Sequence, residues 1–346
     1  MTALVPLSKT RTTTPLLDAR RRALRDVRIS LTDRCNLRCT YCMPEHAFGA
    51  QHRFLPSNRV LAFDEIVSLA RLFADLGARK IKLTGGEPLA RPGVHGLVRM
   101  LRTAVPEVEV NLITNGVLLA PMVASLREAG LHRLTVSLDT LRADRFPAIA
   151  GRPDQLEKVL AGIEAARSAG FRPLKINMVV IRGRNDDEVE AMAARFRRPD
   201  TVLRFIEYMD VGTVNGWQPS EVVPAAEILA RLRKVADLVP IEPIYRGETA
   251  RRYGYTDGSG EIGFIASISQ PFCGDCSRLR LSADGKLFTC LFAKDGFDIR
   301  EVLRSGGPTA ARDAIAELWH GRRDQYSVER TRHHANDRIE MFYIGG

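Results

Sequence analysis

The 346-residue sequence has no apolar run approaching the roughly 20 residues that cross a bilayer as a helix, so no membrane span is expected. Its start, MTALVPLSKTRTTTPLLDAR, is rich in Thr and Arg and lacks the continuous apolar segment of a secretory signal. Internal repeats and low-complexity tracts are also missing. Acids are scarce at the beginning: residues 1–28 hold seven bases (Lys9, Arg11, Arg20, Arg21, Arg22, Arg25, Arg28) and two acids (Asp18, Asp26), half of the chain's net charge of +10. The rest is only mildly basic. That balance suits a small polyanionic substrate at least as well as DNA or RNA, and no nucleic-acid partner is expected. An acid-poor start is compatible with a transit peptide, but the expectation is a disordered N-terminal extension over residues 1–22. The chain is expected to be soluble and cytoplasmic, without membrane contact.

Short β-rich runs alternate with helical patterns through the first two-thirds of the chain. Candidate strands are Val27–Leu31, Lys80–Leu83, Val108–Ile113, Arg133–Leu138, Leu174–Val180 and Thr201–Ile206. Phe63, Ile66, Val67, Ala70, Phe73 and Ala74 recur at helical spacing, with Asp64 and Glu65 in the first turn and Gly77 as a stop. Similar patterns occupy residues 94–104, 120–130, 154–169 and 186–198. Six strands each followed by a helix imply parallel βα units in an α/β fold, either an open doubly wound sheet or part of a barrel. Chemistry then belongs at the carboxyl ends of the strands. After Asp210 the rhythm breaks. Gly212, Gly216, Pro219 and Pro224 read as loop and residues 225–237 as helix; the turn-rich remainder reads as a small, mostly irregular or antiparallel lobe. The expected division is an extension at 1–22, a body at 23–210 and a C-terminal region at 211–346.

Cysteine is confined to two trios. Cys35, Cys39 and Cys42 form C-x3-C-x2-C directly after a candidate strand, and Cys273, Cys276 and Cys290 form C-x2-C-x13-C. Disulfides fit poorly in an α/β chain of this length without a signal peptide. Tight thiol trios instead point to soft metals. Three cysteines on a cubane iron–sulfur cluster leave one iron open, able to bind an amine and a carboxylate and to pass an electron. The competing assignment is a structural zinc knuckle with a fourth ligand elsewhere, though C-x3-C-x2-C is an unusual spacing for zinc. The His333–His334 pair has no suitably spaced partners and reads as surface.

Cys35-Asn36-Leu37-Arg38-Cys39-Thr40-Tyr41-Cys42 resembles the C-x3-C-x-φ-C signature of the radical S-adenosylmethionine (SAM) superfamily, with Tyr41 as the aromatic residue. Lys82-Leu83-Thr84-Gly85-Gly86-Glu87-Pro88 resembles that superfamily's GGEP motif, whose backbone meets the amino group of SAM; two glycines permit so close an approach. Narrower matches run from Arg28 to the last residue. The runs Arg28–Cys35, Ile113–Gly116, Thr135–Asp139, Lys175–Asn177 and Leu203–Met209 resemble the GTP 3′,8-cyclases of molybdenum-cofactor biosynthesis. The most specific stretch is Phe272–Arg280, followed by Gly285-Lys286-Leu287 and Cys290-Leu291-Phe292. Two positions depart from the commoner pattern. Ile113 stands where threonine usually precedes Thr114, and Lys82 stands where arginine is usual, which keeps the charge but loses the bidentate fork.

The resemblance implies a partial (βα)6 TIM-type barrel with a small C-terminal auxiliary-cluster region. It implies a lyase that uses SAM and two [4Fe–4S] clusters to cyclise GTP to (8S)-3′,8-cyclo-7,8-dihydroguanosine 5′-triphosphate. Cys35, Cys39 and Cys42 would hold the catalytic cluster; Cys273, Cys276 and Cys290 would hold the auxiliary one. Tyr41, Gly86, Ser137 and Met209 would contact SAM. Arg28, Lys82, Ile113, Thr114, Lys175, Arg278, Leu279 and Arg280 would contact GTP, with Arg204 and Lys80 as further candidates. The chain ends in a strand-like apolar run and two glycines, as the family does, so Gly345 and Gly346 would enter the active site. Implied partners are GTP, an electron donor of flavodoxin or ferredoxin type and the downstream cyclic pyranopterin monophosphate synthase; a homodimer is compatible. The alternative enzyme is a radical SAM peptide maturase with an auxiliary cluster, and the non-enzymatic alternative is a zinc-organised RNA-binding protein.

Overall fold

The computed structural model describes residues 15–330 and 338–345; the His333–His334 pair and Gly346 lie outside them. All six expected strands form: β1 (Asp26–Ser30), β2 (Lys80–Thr84), β3 (Glu109–Thr114), β4 (Arg133–Ser137), β5 (Leu174–Val180) and β6 (Thr201–Glu207). They pair in chain order, each parallel to the next. The helices of six or more residues between them are α1 (Phe63–Asp75), α2 (Val94–Ala104), α3 (Val123–Glu128), α4 (Leu156–Ser168) and α5 (Val189–Arg195), and α6 (Ala225–Leu232) follows β6. Helix α1 shows why these segments are helical. Its apolar stripe is buried, Glu65 reaches back to accept from the Ala62 N–H at 2.7 Å, and Gly77 ends it with φ 109°.

Alternate side chains of each strand face opposite ways. One set, such as Val27, Ile29, Ile81, Leu83, Ile176 and Met178, is fully buried in the apolar core. The other set, including Arg28, Lys82, Asn177 and Arg204, lines a concave interior. A closed (βα)8 barrel fills that interior with branched apolar side chains. Here it is ionic and has room for a ligand.

The C-terminal region, read from its turn-rich sequence as a small, mostly irregular or antiparallel lobe, does form antiparallel runs, and these continue the main sheet at both ends. Strands β7 (Leu238–Ile241), β8 (Arg251–Tyr255) and β9 (Glu261–Ile265) run antiparallel, and β9 joins β6 in parallel. Strands β10 (Arg278–Leu281), β11 (Lys286–Phe288) and β12 (Phe297–Asp298) form a second antiparallel run, and β10 joins β1 in parallel. Among the described residues a single sheet of twelve strands results, and the C-terminal region supplies both ends of it. Helix α7 (Ile299–His320) departs from the irregular or antiparallel reading of this stretch, and Gly306-Gly307-Pro308 falls inside it. The helix does kink there, with Gly307 at φ 72° and Pro308 opening its second half.

Two further expectations are corrected. Residues 15–22 pack against the body rather than forming part of a disordered extension: Leu17 bridges Ala23, and the buried Asp18 and Arg22 side chains lie 2.6 Å apart. The described part of the tail, 338–345, is extended and then turned rather than a strand, with Tyr343 N donating to Glu340 O. Among the described residues no helix is long and apolar enough to cross a membrane.

Candidate functional site

A cavity of about 240 Å³ opens at the carboxyl ends of the parallel strands, and both cysteine trios line it. The first trio lies on the loop after β1. Cys42 N and Met43 N both donate to Cys39 O, turning the chain so that the thiols gather. The Cys35 sulfur accepts from Leu37 N at 3.4 Å and from Asn115 Nδ2 at 3.6 Å, and the same Asn115 amide reaches Asn36 Oδ1 at 2.8 Å. The glycine-rich loop after β2 docks on the cysteine loop backbone to backbone. Gly86 N donates to Thr32 O and Glu87 N to Arg34 O, both at 2.8 Å, and any Cβ on Gly86 would collide with the Arg34 carbonyl. Glu87 beneath it accepts from Thr114 Oγ1 (2.7 Å), Asn115 N (2.8 Å) and Leu89 N (2.9 Å). Burial still pushes its carboxyl up to about 7, against those three bonds.

Tyr41 donates to Asp139 Oδ2 at 2.6 Å, and Val179 N donates to Asp139 Oδ1 at 2.8 Å. Burial raises Asp139 to about 6 despite both donors. The thiols of this trio are pushed up by burial as well, Cys35 to about 11 and Cys39 and Cys42 in the same direction. The second trio differs. Cys273–Asp275 forms a tight 3₁₀ turn, and Arg278 directs Nε and Nη2 at the Cys276 sulfur (3.4 and 3.3 Å) while lying over the Phe272 ring. Burial pushes Cys276 up, but Arg278 and Arg322 outweigh it and hold the thiol near 6.

All six cysteines are free thiols. Among the described residues no three His, Cys, Asp or Glu side chains gather tightly enough for a single metal ion. A cubane spreads its thiolates over separate irons, so two free trios facing one cavity fit iron–sulfur clusters in donor chemistry.

A cationic wall completes the cavity. Burial lowers Arg28 to about 10 with Arg278 adding to it, lowers Arg204 to about 10, and drives Lys82 well down with Arg28 beside it. Like charges crowded in a low-dielectric interior repel one another until an anion arrives. Of the residues expected to contact SAM, Tyr41, Gly86, Ser137 and Met209 line the cavity, and of those expected to contact GTP, Arg28, Lys82, Ile113, Thr114, Arg278 and Arg280 line it. Three expected contacts look different in place. The Thr114 hydroxyl is already bonded to Glu87. The Leu279 side chain packs in the core, on the opposite face of β10 from Arg278 and Arg280. Lys175 lies outside the cavity lining, two residues before Asn177 on β5, near Arg204, Lys80 and Arg133.

The tail crosses the site. Phe342 packs edge-on against Phe48 (4.8 Å), Tyr343 donates to Asp284 Oδ2 (2.6 Å), and Glu340 accepts from Thr213 N and Oγ1 (2.9 and 3.0 Å). Arg280 donates to the carbonyls of Ile344 (3.2 Å) and Gly345, and Arg28 reaches the Gly345 carbonyl at 3.5 Å. Gly345 has φ 69° and abuts Thr84, where a Cβ would collide. Gly346 lies outside the described residues. Sequence reasoning missed Asn115, Asp139 and Asn177. Asn177 lines the cavity with its Oδ1 buried and without a hydrogen-bond partner. All three lie in runs already singled out, and the partners that give Asn115 and Asp139 roles are remote in sequence.

Comparison with known proteins agrees with this geometry. The family described as the radical SAM superfamily matches residues 29–196, and the family described as Molybdenum Cofactor Synthesis C matches residues 201–328. A protein of Acidothermus cellulolyticus named GTP 3′,8-cyclase is 48% identical over 361 residues, covering 96% of this chain and 100% of its own. Proteins of the same name from Xanthomonas axonopodis pv. citri and Staphylococcus carnosus are 45% and 43% identical, covering 96% and 94% of this chain and 100% and 97% of their own. Among solved structures, SuiB of Streptococcus suis bound to S-adenosylmethionine shares the fold, with a TM-score of 0.61 at 13% identity over 92% of this chain and 68% of that one. The chain belongs to the GTP 3′,8-cyclase family, radical SAM enzymes of molybdenum-cofactor biosynthesis that work with SAM and an iron–sulfur cluster.

Proposed function

We propose that the chain cyclises GTP to (8S)-3′,8-cyclo-7,8-dihydroguanosine 5′-triphosphate, using one [4Fe–4S] cluster on each trio. The observation that carries this reading is that both trios and the cationic wall line one cavity. Cys35, Cys39 and Cys42 would hold the first cluster, which together with SAM would supply the one-electron chemistry for removing the 3′ hydrogen of GTP and so for joining C3′ to C8 of guanine. The chain's own residues bind, orient and enclose. Tyr41, Gly86, Ser137 and Met209 seat SAM, with Asp139 fixing the Tyr41 ring through its hydroxyl. Arg28, Lys82 and Arg204 attract the triphosphate, and Arg278, beside Cys276, marks the purine end. The tail closes the cavity against water, its carbonyls held by Arg28 and Arg280. A flavodoxin- or ferredoxin-type donor supplies two electrons, one for SAM cleavage and one that, with a proton, reduces the cyclised nucleotide radical to the 7,8-dihydro product, which cyclic pyranopterin monophosphate synthase then takes.

The test is anaerobic reconstitution, followed by measurement of 5′-deoxyadenosine and cyclised nucleotide with and without GTP. GTP-dependent formation of both is expected. SAM cleavage that ignores GTP and yields no cyclised nucleotide would overturn the assignment.

A further inference from the structure

Arg22 and Arg322 meet at the loop that carries Cys273 and Cys276. Both side chains are 1% exposed, and both line the cavity. Arg22 donates through Nη1 to the carbonyls of Cys273 (2.9 Å) and Asp324 (2.8 Å). Arg322 donates through Nη1 to the Cys276 carbonyl at 2.6 Å. Two carboxylates balance them: Asp18 lies 2.6 Å from Arg22 and 3.7 Å from Arg322, and Asp324 lies 3.1 Å from Arg322.

The turn that delivers Arg22 is tightly specified. Asp18 accepts from Arg20 N (2.9 Å) and Arg22 N (2.8 Å), while Arg21 between them takes a left-handed backbone at φ 61°, uncommon without glycine. Trp319 Nε1 donates to Arg22 O at 3.1 Å, and Arg322 lies over the Trp319 ring at 4.6 Å. Just downstream, Arg25 N and Asp26 N both donate to Ser277 O. One donor is left without a hydrogen bond: Nη2 of Arg22 is buried and lies 4.0 Å from Asp324 Oδ1, beyond hydrogen-bond reach.

Buried charge and a strained turn persist only where the surroundings hold them, and here they converge on two ligand-bearing carbonyls. We propose that Arg22 and Arg322 are positioning residues of the second trio. They fix the Cys273–Cys276 loop through its carbonyls, and they set positive charge and a free N–H donor against the group its thiols hold. The segment around Asp18–Arg22 is thereby part of the second site, although Arg22 precedes Cys273 by 251 positions.

This inference rests on the proposed cluster at the second trio. A cluster's potential follows the charge and hydrogen bonds around it, so loss of a neighbouring cation makes reduction harder. The test uses the full chain, reconstituted anaerobically, with iron analysis and a redox titration followed by electron paramagnetic resonance. The second cluster's signal is assigned by its loss in Cys290→Ser. Arg22→Gln should keep the first cluster and its SAM cleavage, while the second cluster is depleted or titrates at a more negative potential. Arg22→Lys, which keeps the charge, should return the potential towards wild type. A second cluster in Arg22→Gln with wild-type content, spectrum and potential overturns the proposal. If that variant does not fold, Asp18→Asn combined with Arg22→Gln removes both buried charges together; equal loss of both clusters there assigns Arg22 to general folding and also overturns it. If Cys290→Ser carries as much iron as wild type, the cluster reading itself fails, an outcome distinct from wild-type behaviour of Arg22→Gln.

Discussion

Carboxylates crowd the first thiol trio and guanidiniums crowd the second. Glu87 acts on Cys35, Asp139 on Cys39, and Glu340 and Asp139 on Cys42, with Arg38 opposing at Cys35. Arg278 and Arg322 act on Cys276 and outweigh its burial; at Cys290 burial and then Asp324 push the thiol up to about 11, with Arg280 opposing them, so the cationic contrast belongs to Cys276. The difference shows what each site must receive. A thiolate set among acids is stabilised by a cationic ligand, and SAM brings a sulfonium and an ammonium. A thiolate set among arginines carries its own counter-charge and can face a neutral ring, leaving other cations to the phosphates. On the proposed function, the two trios are therefore not interchangeable despite identical ligand sets.

Breaking one trio at a time gives the largest effects. Wild type should bind about eight irons per chain, and losing either cluster should halve that. Cys39→Ser should abolish SAM cleavage altogether. Cys276→Ser should retain some uncoupled cleavage yet lose the cyclised nucleotide, because only substrate placement is damaged. Equal loss of both activities in both variants, with each still folded, would erase the division between the sites. The tail touches both sides of the comparison, through Phe342 on Phe48 and through Gly345 beneath Arg28 and Arg280. Gly345→Ala forces a Cβ into Thr84 at a positive φ. It should lower cyclised product at least about tenfold, or about 1.4 kcal/mol in barrier, with both clusters intact. Near wild-type turnover would return the tail to an ordinary chain end.

The same contrast explains what could be read from the sequence. The first trio, the glycine loop and the six βα units are local patterns, so spacing and periodicity displayed them. The second half resisted for physical reasons. The partner of β10 is β1, far back in the chain, and nothing in the run Arg278–Leu281 names it. Helix α7 hides behind Gly306-Gly307-Pro308. Arg22 looks like one more base in a charged leader until Cys273 and Asp18 are placed around it. The core-facing side chain of Leu279 was legible, since period-two alternation puts it on the face opposite Arg278 and Arg280. Asp139 has no local signal either, because its partners Tyr41 and Val179 come from other segments.

A smaller effect sharpens the acidic side of the contrast. Tyr41→Phe removes the hydroxyl that holds the ring to Asp139 and leaves that carboxylate with one donor fewer. Because the lost bond opposed burial, the Asp139 pKa should rise further above about 6. SAM affinity should fall about fivefold to tenfold, about 1 to 1.4 kcal/mol, while GTP affinity at saturating SAM stays near wild type. Equilibrium binding of each ligand to the reconstituted protein distinguishes this from a general loss of structure.

The smallest effect tests whether the cationic interior serves the ligand or the fold. Burial, then Arg204, Lys80 and Arg133, lowers Lys175 to about 8, well under the range near 10.4 of a free lysine. Between those values the unfolded chain binds more protons than the native one, so this residue makes stability rise as pH climbs from about 8 towards 10.4. Below pH 8 its full destabilisation is present. Lys175→Gln should therefore make the ligand-free protein more stable than wild type at pH 7, with the gap closing as pH rises past 8. Phosphate binding favours the charged lysine, so wild-type GTP affinity should weaken above about pH 8. The variant should lose that component of the pH dependence and bind GTP about fivefold more weakly at pH 7, about 1 kcal/mol. Thermal melts and GTP titrations at pH 7 and pH 9 give both readings. A variant that loses stability at pH 7 while GTP affinity is unchanged would place Lys175 in the framework and leave the triphosphate to Arg28, Lys82 and Arg204.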